Sequence, residues 1–312
     1  MGRIINKKFS GVYGYALVLL AGILWGSIGA FVKELTEYQV STGMISFLRV
    51  GFAFILSLTI TLFKEGPSAL KISRLEVLRC ALLGIVCHGI YNIFYSIAVA
   101  RAGVTVSAVL LNIAPAITMF TAAFLFQEQL TKGKLIAVCV NILGCVLTVS
   151  GGTSGAAQVS VIGIVCGVCA GTCYALTAIF GRLASGSSPW VVSTYSYFFA
   201  AVSLVFYARP QEHMQSIPAP ALGIAVLYAL IPTTIAYGLY YAGVHRISNS
   251  SIVPILASAE TVVAAVFGIW LYHEALGVIN IVGIGLVLTS ILISQLRSRD
   301  ASKQADCVSA AP

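Results

Sequence analysis

Charged residues are scarce in this chain. Only 9% of its 312 residues are Asp, Glu, Lys or Arg, and 59% are hydrophobic, whereas a soluble domain is about one quarter charged. This composition excludes an ordinary soluble domain, a disordered chain, a collagen and a disulfide scaffold, and it indicates an integral membrane protein. The net charge of +8 is not gathered in a basic run, so we expect no nucleic-acid partner.

Motifs for metal or nucleotide chemistry are also lacking. The sequence holds no HExxH, no P-loop and no dinucleotide fingerprint. It therefore gives no indication of metal-dependent hydrolysis or of transport driven by ATP hydrolysis. Seven of the eight cysteines lie in apolar runs, including Cys166, Cys169 and Cys173 on one helix face. Free Cys in such runs is typically a small packing residue. We therefore expect no enzyme activity, no cofactor and no metal site.

Long apolar runs dominate what is present. Because each run is continuous and near the ~20 residues that a membrane-spanning helix needs, strands are not credible. We predict an all-α integral membrane protein with ten transmembrane helices. The predicted spans are 12–32, 42–63, 78–98, 104–126, 133–151, 159–181, 190–207, 221–243, 250–272 and 277–296.

Lys and Arg indicate the orientation of these spans. If the N-terminus is cytoplasmic, the inner segments carry fourteen Lys and Arg residues and the outer segments carry three, with Arg49 inside a span. Since cytoplasmic loops are enriched in these residues, we predict that 1–11 and 297–312 are cytoplasmic. We expect a multi-pass protein of a prokaryotic plasma membrane.

The two halves of the chain resemble each other. LAGILWGSIGAFVK (20–33) aligns with CAGTCYALTAIFGR (169–182), and FYSIAVARAGVTVSAV (94–109) aligns with YYAGVHRISNSSIVPI (240–255). We divide the chain into a first repeat at 12–151, a linker at 152–158 and a second repeat at 159–296. Because five spans per repeat is odd, the second copy enters the membrane from the opposite side. Inverted repeats of this kind indicate transport by alternating access.

Three stretches resemble the EamA family of the drug/metabolite transporter superfamily: the WGS of the first span, LLNIAPAITMFTAAFLFQEQL (110–130), and 231–276. The resemblance covers about 12–296. It implies ten helices in two inverted five-helix halves, acting in export of amino acids and other small metabolites. Members commonly carry Glu-Pro in the ninth helix, whereas here Glu260 is followed by Thr261. The acids that end the two blocks, Glu128 and Glu274, are expected to be solvated or paired with a lysine or a helix N-terminus.

Glu260 lies near the middle of the predicted ninth span. A charge at a helix centre costs about 2.5–3.5 kcal/mol on insertion scales, and each Val, Ile, Leu or Phe returns roughly 0.3–0.6 kcal/mol. The span still inserts, so the acid must face protein or water. One reading is that Glu260 binds a substrate ammonium or carries a coupling proton; the other is that it fixes helix packing. His88 is a second candidate proton carrier.

The third and eighth spans carry polar and aromatic residues on one face. These are His88, Tyr91, Asn92 and Tyr95 in the third span, and Thr234, Tyr237 and Tyr241 in the eighth. Their spacing of three to four residues places each set on one side of a helix. With Trp25 and Tyr174, which correspond between the repeats, they are predicted to line a central cavity. The alternative is that some of these aromatics form interfacial belts.

Four further residues are candidates for a role in binding or motion. Arg49 either binds a substrate carboxylate or stabilises helix ends at the interface. Asn112 is predicted to line the cavity. Pro115 in the fourth span and Pro254 in the ninth are predicted hinges, since proline frees backbone carbonyls and bends a helix; a static bend is the alternative.

These features predict a secondary transporter that moves a small metabolite, most readily an exporter of amino acids or related amines and drugs. A flippase for a lipid-linked sugar is one alternative. A membrane-embedded enzyme is another, since Gly152, Thr153, Ser154 and Gly155 match a GxSG pattern, but no base is placed beside them in the sequence. The expected partners are a small-molecule substrate, a coupling proton and the lipid bilayer, for a monomer or a homodimer.

The topology can be tested with reporters fused within 1–11 and within 152–158. Because five crossings separate these segments, a reporter active only in the cytoplasm should work at the first position and fail at the second. Two active reporters on a common side of the membrane would contradict the inverted repeat.

Overall fold

The computed structural model describes residues 2–102, 104–150, 160–247, 249–272 and 277–309. Within these ranges every regular element is helical and no strand occurs, which confirms the predicted all-α fold. Large apolar side chains on the outside, such as Phe63, Phe124 and Phe206, are at least 80% exposed. Water disfavours such a surface, whereas lipid matches it.

The helices are given in chain order. The first half contains α1 (Gly2–Trp25), α2 (Ile28–Glu37), α3 (Thr42–Lys64), α4 (Arg74–Leu82), α5 (Tyr91–Ala102), α6 (Val104–Leu111), α7 (Ala114–Phe126) and α8 (Lys132–Ser150). The second half contains α9 (Val161–Leu183), α10 (Pro189–Ala208), α11 (Pro210–His213), α12 (Ala219–Ala229), α13 (Ala236–Val244), α14 (Val253–Ala257), α15 (Ala259–Tyr272) and α16 (Val278–Ser309). Two π-helical segments, Leu83–Ile90 and Leu230–Ile235, join α4 to α5 and α12 to α13.

Among the described residues, seven helical stretches are long and apolar enough to cross a membrane: Tyr13–Glu37, Thr42–Lys64, Arg74–Ala102, Val161–Leu183, Pro189–Ala208, Ala219–Val244 and Ser250–Gly268. They coincide with seven of the predicted spans. The fourth predicted span corresponds to α6 and α7, the fifth to α8 and the tenth to α16. Two apolar stretches there, Ala114–Phe126 and Val278–Ser294, are shorter, so the count of ten stays a prediction.

Helices of the two halves pack against each other in an exchanged pattern. Helix α1 of the first span packs on α13 of the eighth, and α9 of the sixth packs on α5 of the third. Helix α3 packs on α10, and α8 packs on α16. If each span is replaced by the equivalent span of the other half, every one of these packing pairs becomes either itself or another of the four. This is the relation expected between two structural repeats.

Three predicted spans are interrupted. The first breaks between α1 and α2, the fourth at Asn112 and Ile113, and the ninth at Ser258. In the fourth, Pro115 is the second residue of α7 and has no N–H to donate, so the helix cannot continue through it undisturbed. Pro254 instead lies near the start of α14, four residues before the break. The hinge roles of both prolines stay predictions.

The irregular segments occur at equivalent places in the two halves. The alignment that pairs Phe94 with Tyr240 also pairs Asn112 with Ser258, where the fourth and ninth spans break. The two π-helical segments likewise lie in the third and eighth spans. Such segments are frequent at functional sites. Only the break after Trp25 has no counterpart, since α9 is continuous.

Helices α8 and α16 approach closely through glycine. A Cβ added at Gly144 would lie 2.7 Å from the backbone nitrogen of Val287, and one added at Gly283 would lie 2.7 Å from the carbonyl oxygen of Gly144. Small residues let helix backbones come together in this way.

Glu128 follows α7 and joins parts of both halves. Its carboxylate, 8% exposed, accepts a hydrogen bond from Arg182 at 2.6 Å and lies 3.6 Å from Nζ of Lys134. It also accepts the backbone N–H of Ser250 at 2.7 Å and the hydroxyl of Ser251. Burial alone raises the pKa of Glu128, but the hydrogen bonds from Ser251 and Ser250 and the charge of Lys134 outweigh it and hold this pKa below its usual value. Glu274, its equivalent, lies outside the described residues.

The α8–α16 packing can be tested with Gly283→Ala. The added methyl group has no space, and overpacking of this kind costs about 1–3 kcal/mol, so the apparent Tm in detergent should fall. Gly285→Ala is the matched control, because nothing lies within 4 Å of its added Cβ. Equal Tm values for the two variants would contradict the close packing.

The Glu128 cluster predicts an acid-dependent stability. A carboxylate whose pKa is lowered by folding stabilises the protein above its unfolded-state pKa, about 4.3, and loses that contribution as the pH falls through its folded pKa. The Tm difference between wild type and Glu128→Gln should therefore be largest near pH 7 and vanish in acid. Glu212→Gln, at an exposed pair with Arg209, should show little difference. A Glu128→Gln deficit that is constant with pH would refute this account.

Candidate functional site

An aromatic cluster surrounds Tyr237 of α13. The ring centroid of Tyr237 lies 4.7 Å from Trp25 of α1, 4.8 Å from His88 and 5.8 Å from Tyr241. Tyr197 of α10 lies 6.1 Å away. All five side chains are at most 6% exposed. Both halves of the chain contribute, so the cluster lies at the interface between the repeats.

His88 is held at fixed points inside this cluster. It lies in the π-helical segment Leu83–Ile90 and is fully buried. Its Nε2 lies 3.0 Å from the hydroxyl of Tyr241, and its backbone carbonyl accepts a hydrogen bond from Nδ2 of Asn92. Asn92 in turn accepts a hydrogen bond from Ser46 of α3 at 3.2 Å. The predicted face of the third span is therefore tied to the second and eighth spans.

Glu260 lies at one end of the aromatic cluster. It is the second residue of α15, where the helix dipole favours a negative charge. Its Oε1 accepts a hydrogen bond from the hydroxyl of Tyr174 at 3.3 Å. Tyr174 lies 5.9 Å from Tyr91, which stacks on Tyr95 at 5.8 Å. Tyr174 also lies 6.5 Å from Trp25, so aromatic rings connect Glu260 with Tyr237.

Arg49 of α3 contacts Tyr228 of α12, the helix that leads into the π-helical segment Leu230–Ile235. It is 6% exposed, and Nη1 donates a hydrogen bond to the hydroxyl of Tyr228 at 3.1 Å. Its guanidinium lies 5.5 Å from the Tyr228 ring centroid, and Phe31 stacks on the same ring at 5.6 Å. No Asp or Glu of the described ranges forms an ion pair with it.

Several buried polar atoms of this region have no hydrogen-bond partner among the described residues. They are Trp25 Nε1, Arg49 Nε, His88 Nδ1 and Thr234 Oγ1. Glu76, Thr177 and Asn249 hold three more such atoms elsewhere. Most buried polar groups in proteins are paired. Two of the four atoms belong to the Tyr237 cluster, and Thr234 precedes Tyr237 by one helical turn, so unpaired polar groups are concentrated in this region.

The structure does not join Asn112 to the cluster through any hydrogen bond or ring contact in the described ranges. Its Nδ2 donates to the carbonyl of Ala108, in its own helix, at 2.9 Å. Its cavity role stays a prediction. In the same ranges no group of three His, Cys, Asp or Glu side chains is arranged to hold a metal ion.

Sequence analysis missed three tyrosines of the site: Tyr197, Tyr228 and Tyr240. Tyr240 lies 5.0 Å from Trp25, and a signal for it existed, because it follows Tyr237 by three residues and shares its helix face. Tyr228 is a single polar residue in an apolar helix, and Tyr197 lies beside Tyr195 in the polar stretch 193–197 of α10. No local pattern distinguishes them from interfacial tyrosines.

Comparisons with known proteins agree with this architecture. Residues 12–150 and 161–296 match the model of the EamA-like transporter family. An uncharacterized transporter of Archaeoglobus fulgidus is 25% identical over 90% of this chain and 96% of its own length. The uncharacterized inner membrane transporter YicL of Salmonella typhimurium is 24% identical over 94% and 98%. A solved crystal structure aligns with a TM-score of 0.76 at 16% identity, over 94% of this chain and 99% of that one, and shows the same fold.

Proposed function

This chain belongs to the EamA-like transporter family, and from that premise we propose that it is a secondary transporter moving a small metabolite by alternating access. Family and relatives support a membrane transporter role. The observation that carries the finer proposal is the cluster around Tyr237, which side chains of both repeats build at their interface. A substrate site between inverted repeats is what alternating access requires.

The chemistry of the cluster and its neighbours favours an amphipathic substrate that carries one positive and one negative group. Aromatic faces bind apolar groups and attract cations, and Glu260 offers a carboxyl group for a substrate ammonium. Arg49 is a buried guanidinium without an acidic partner in the described ranges. Buried charges are normally paired, so a substrate carboxylate suits it. An amino acid or a related compound fits this set of groups, and export is the direction that the family resemblance favours.

Proton coupling is proposed for Glu260, with His88 as the second candidate. Glu260 has one hydrogen-bond donor, Tyr174, and lies beside the break in the ninth span. A carboxyl group in this position exchanges a proton when the site opens to water. His88 is tied to Tyr241, which leaves Nδ1 for a proton or a substrate atom.

The interrupted helices support the proposed motion. Breaks at Asn112 and Ser258, with Pro115 and Pro254 nearby, divide the fourth and ninth spans into shorter segments that can tilt separately. Because the breaks are equivalent, exchanging the tilts of the two halves converts an opening on one side into an opening on the other. This is the inverted-repeat form of alternating access.

The two alternatives have less support. A flippase needs a lateral opening and a basic patch at the lipid headgroups, whereas the Tyr237 cluster is buried and is built mainly from aromatic rings. A membrane enzyme needs a nucleophile beside a base, and the partner of His88 is the hydroxyl of Tyr241. The Gly152–Gly155 motif lies outside the described residues.

Purified protein in liposomes tests the proposal. Without ATP it should move a labelled amino acid faster than the corresponding decarboxylated amine, because Arg49 receives the carboxylate. An imposed proton gradient should drive accumulation in wild type. Glu260→Gln should abolish this response and the pH dependence of the rate, since its amide cannot release a proton. Glu212→Gln, an exposed carboxyl on α11, is the matched control.

Each part of this experiment has a result that would contradict the proposal. Hydrolysis products without solute movement would reject transport. Unchanged pH dependence in Glu260→Gln would return Glu260 to a packing role. A preference for the amine would remove Arg49 from the binding site while leaving transport intact.

A further inference from the structure

We infer that Asn141, a fully buried residue of the fifth span, is the positioning residue for Glu260. Its amide fixes the break in the ninth span, and the break fixes where α15 presents the carboxyl group. The inference rests on the proposed function of Glu260 and concerns a residue that does not itself contact the aromatic cluster.

The position of Glu260 depends on Ser258. Helix α14 ends at Ala257 and α15 begins at Ala259, so Ser258 is the junction and Glu260 follows two residues later. The backbone N–H of Ser258 donates to Pro254 at 3.0 Å, and its carbonyl accepts from Thr261 at 3.0 Å. Any rotation at Ser258 therefore redirects Glu260.

Asn141 holds Ser258 from outside the ninth span. Its Nδ2 donates to the Ser258 hydroxyl at 2.6 Å and to the Ser290 hydroxyl of α16 at 2.9 Å. The Ser258 hydroxyl donates in turn to the carbonyl of Ile255 at 2.6 Å. Both hydrogens of one amide group are used, and three spans meet at this atom. Asn141 and Ser290 are fully buried, and Ser258 is 6% exposed, so little water competes with these bonds.

The α8–α16 packing described above makes the arrangement possible. Gly144 lies one turn after Asn141 and permits close approach to α16, which places Ser290 within reach of the same amide. One turn along, Sγ of Cys145 lies 3.8 Å from the hydroxyl of Thr261. Asn141 and Cys145 together therefore hold both sides of the junction against α8.

Glu260 is contacted from a different helix. Tyr174 of α9 donates to its carboxyl group, whereas Asn141 of α8 holds its backbone junction. The acid is thus fixed at two points by two spans. If α9 moves relative to the α8–α16 pair, the contact with Tyr174 changes while the junction stays in place.

Among the described residues, no side chain of another helix is seen to hold the equivalent break in the first half by a hydrogen bond. Asn112, the counterpart of Ser258, bonds within its own helix to Ala108, and Ala114 stands where the second half has Glu260. The hydrogen bond from another span, Asn141 to Ser258, is therefore found at the break that is followed by the acid. This difference favours a role for Asn141 in placing Glu260 over a general role in bending spans.

A double-mutant cycle with Glu260→Gln tests the inference in liposomes. Asn141→Ala should shift the pH at which transport is half-maximal and lower the rate at the wild-type optimum by about tenfold or more, since small misplacements of an acting group are costly. In the Glu260→Gln background, Asn141→Ala should change the rate of residual exchange by no more than about twofold, because the carboxyl group that Asn141 positions is no longer present. A change of about twofold is within the deviation from additivity found for independent sites. Thr289→Ala, an exposed neighbour on α16 whose hydroxyl bonds to its own helix, is the control and should keep the wild-type profile.

Ser258→Ala removes the hydroxyl that accepts the hydrogen bond from Asn141, and it should reproduce the shifted pH profile of Asn141→Ala. If Asn141→Ala fails to fold, the pH profile of Ser258→Ala tests the inference by itself. An equal loss from Asn141→Ala in both backgrounds, or a wild-type pH profile in Asn141→Ala and Ser258→Ala, would overturn the positioning role. Neither result would affect the proposed transport. Absence of transport in wild type would instead reject the proposed function.

Discussion

The structure depends on one constraint, that backbone polar groups within a bilayer must find partners inside the protein. Regular helices satisfy it by themselves. The interruptions at Gly26, Asn112 and Ser258 do not, so each must be enclosed by neighbouring spans. Gly26 shows the consequence, since an added Cβ would collide with Val263 and lie 3.0 Å from the carbonyl of Glu260. The irregular backbone at Gly26 is consequently packed against the turn of α15 that carries the acid.

The two repeats share a scaffold and differ in chemistry. Breaks and π-helical segments recur at equivalent positions, yet Glu260 stands opposite Ala114. When α3 and α10 are aligned on their capping serines, Ser41 and Ser188, Arg49 stands opposite Ser196. The acid and the buried base thus come one from each half. In the proposed function, a symmetric frame would permit two related conformations, and the unequal charges of the two halves would make them differ in chemistry.

The fold was largely predictable because hydrocarbon imposes a simple pattern. Apolar length located the helices, and the aligned motifs located the repeats. The faces of the third and eighth spans placed His88, Tyr91 and Tyr237 together, since helical spacing is a local property. Tyr228 and Asn141 were missed because each is a single polar residue in an apolar run. Tyr197 was missed because Tyr195 and several hydroxyl side chains lie beside it in the sequence. The hydrogen-bond partner of each of the three lies far along the chain. The break at Ser258 was missed for the same reason, because the amide that holds it belongs to another span.

The sequence by itself determined that this chain is helical, lies in a membrane, repeats itself and carries an acid inside an apolar span, because composition and periodicity act within one segment. Tertiary structure decided which residues meet. It joined Glu260 to Tyr174, His88 to Tyr241 and Arg49 to Tyr228, and it left Asn112 in its own helix. These contacts depend on how closely two spans approach, and that distance is set by small residues and interruptions on both partners at once.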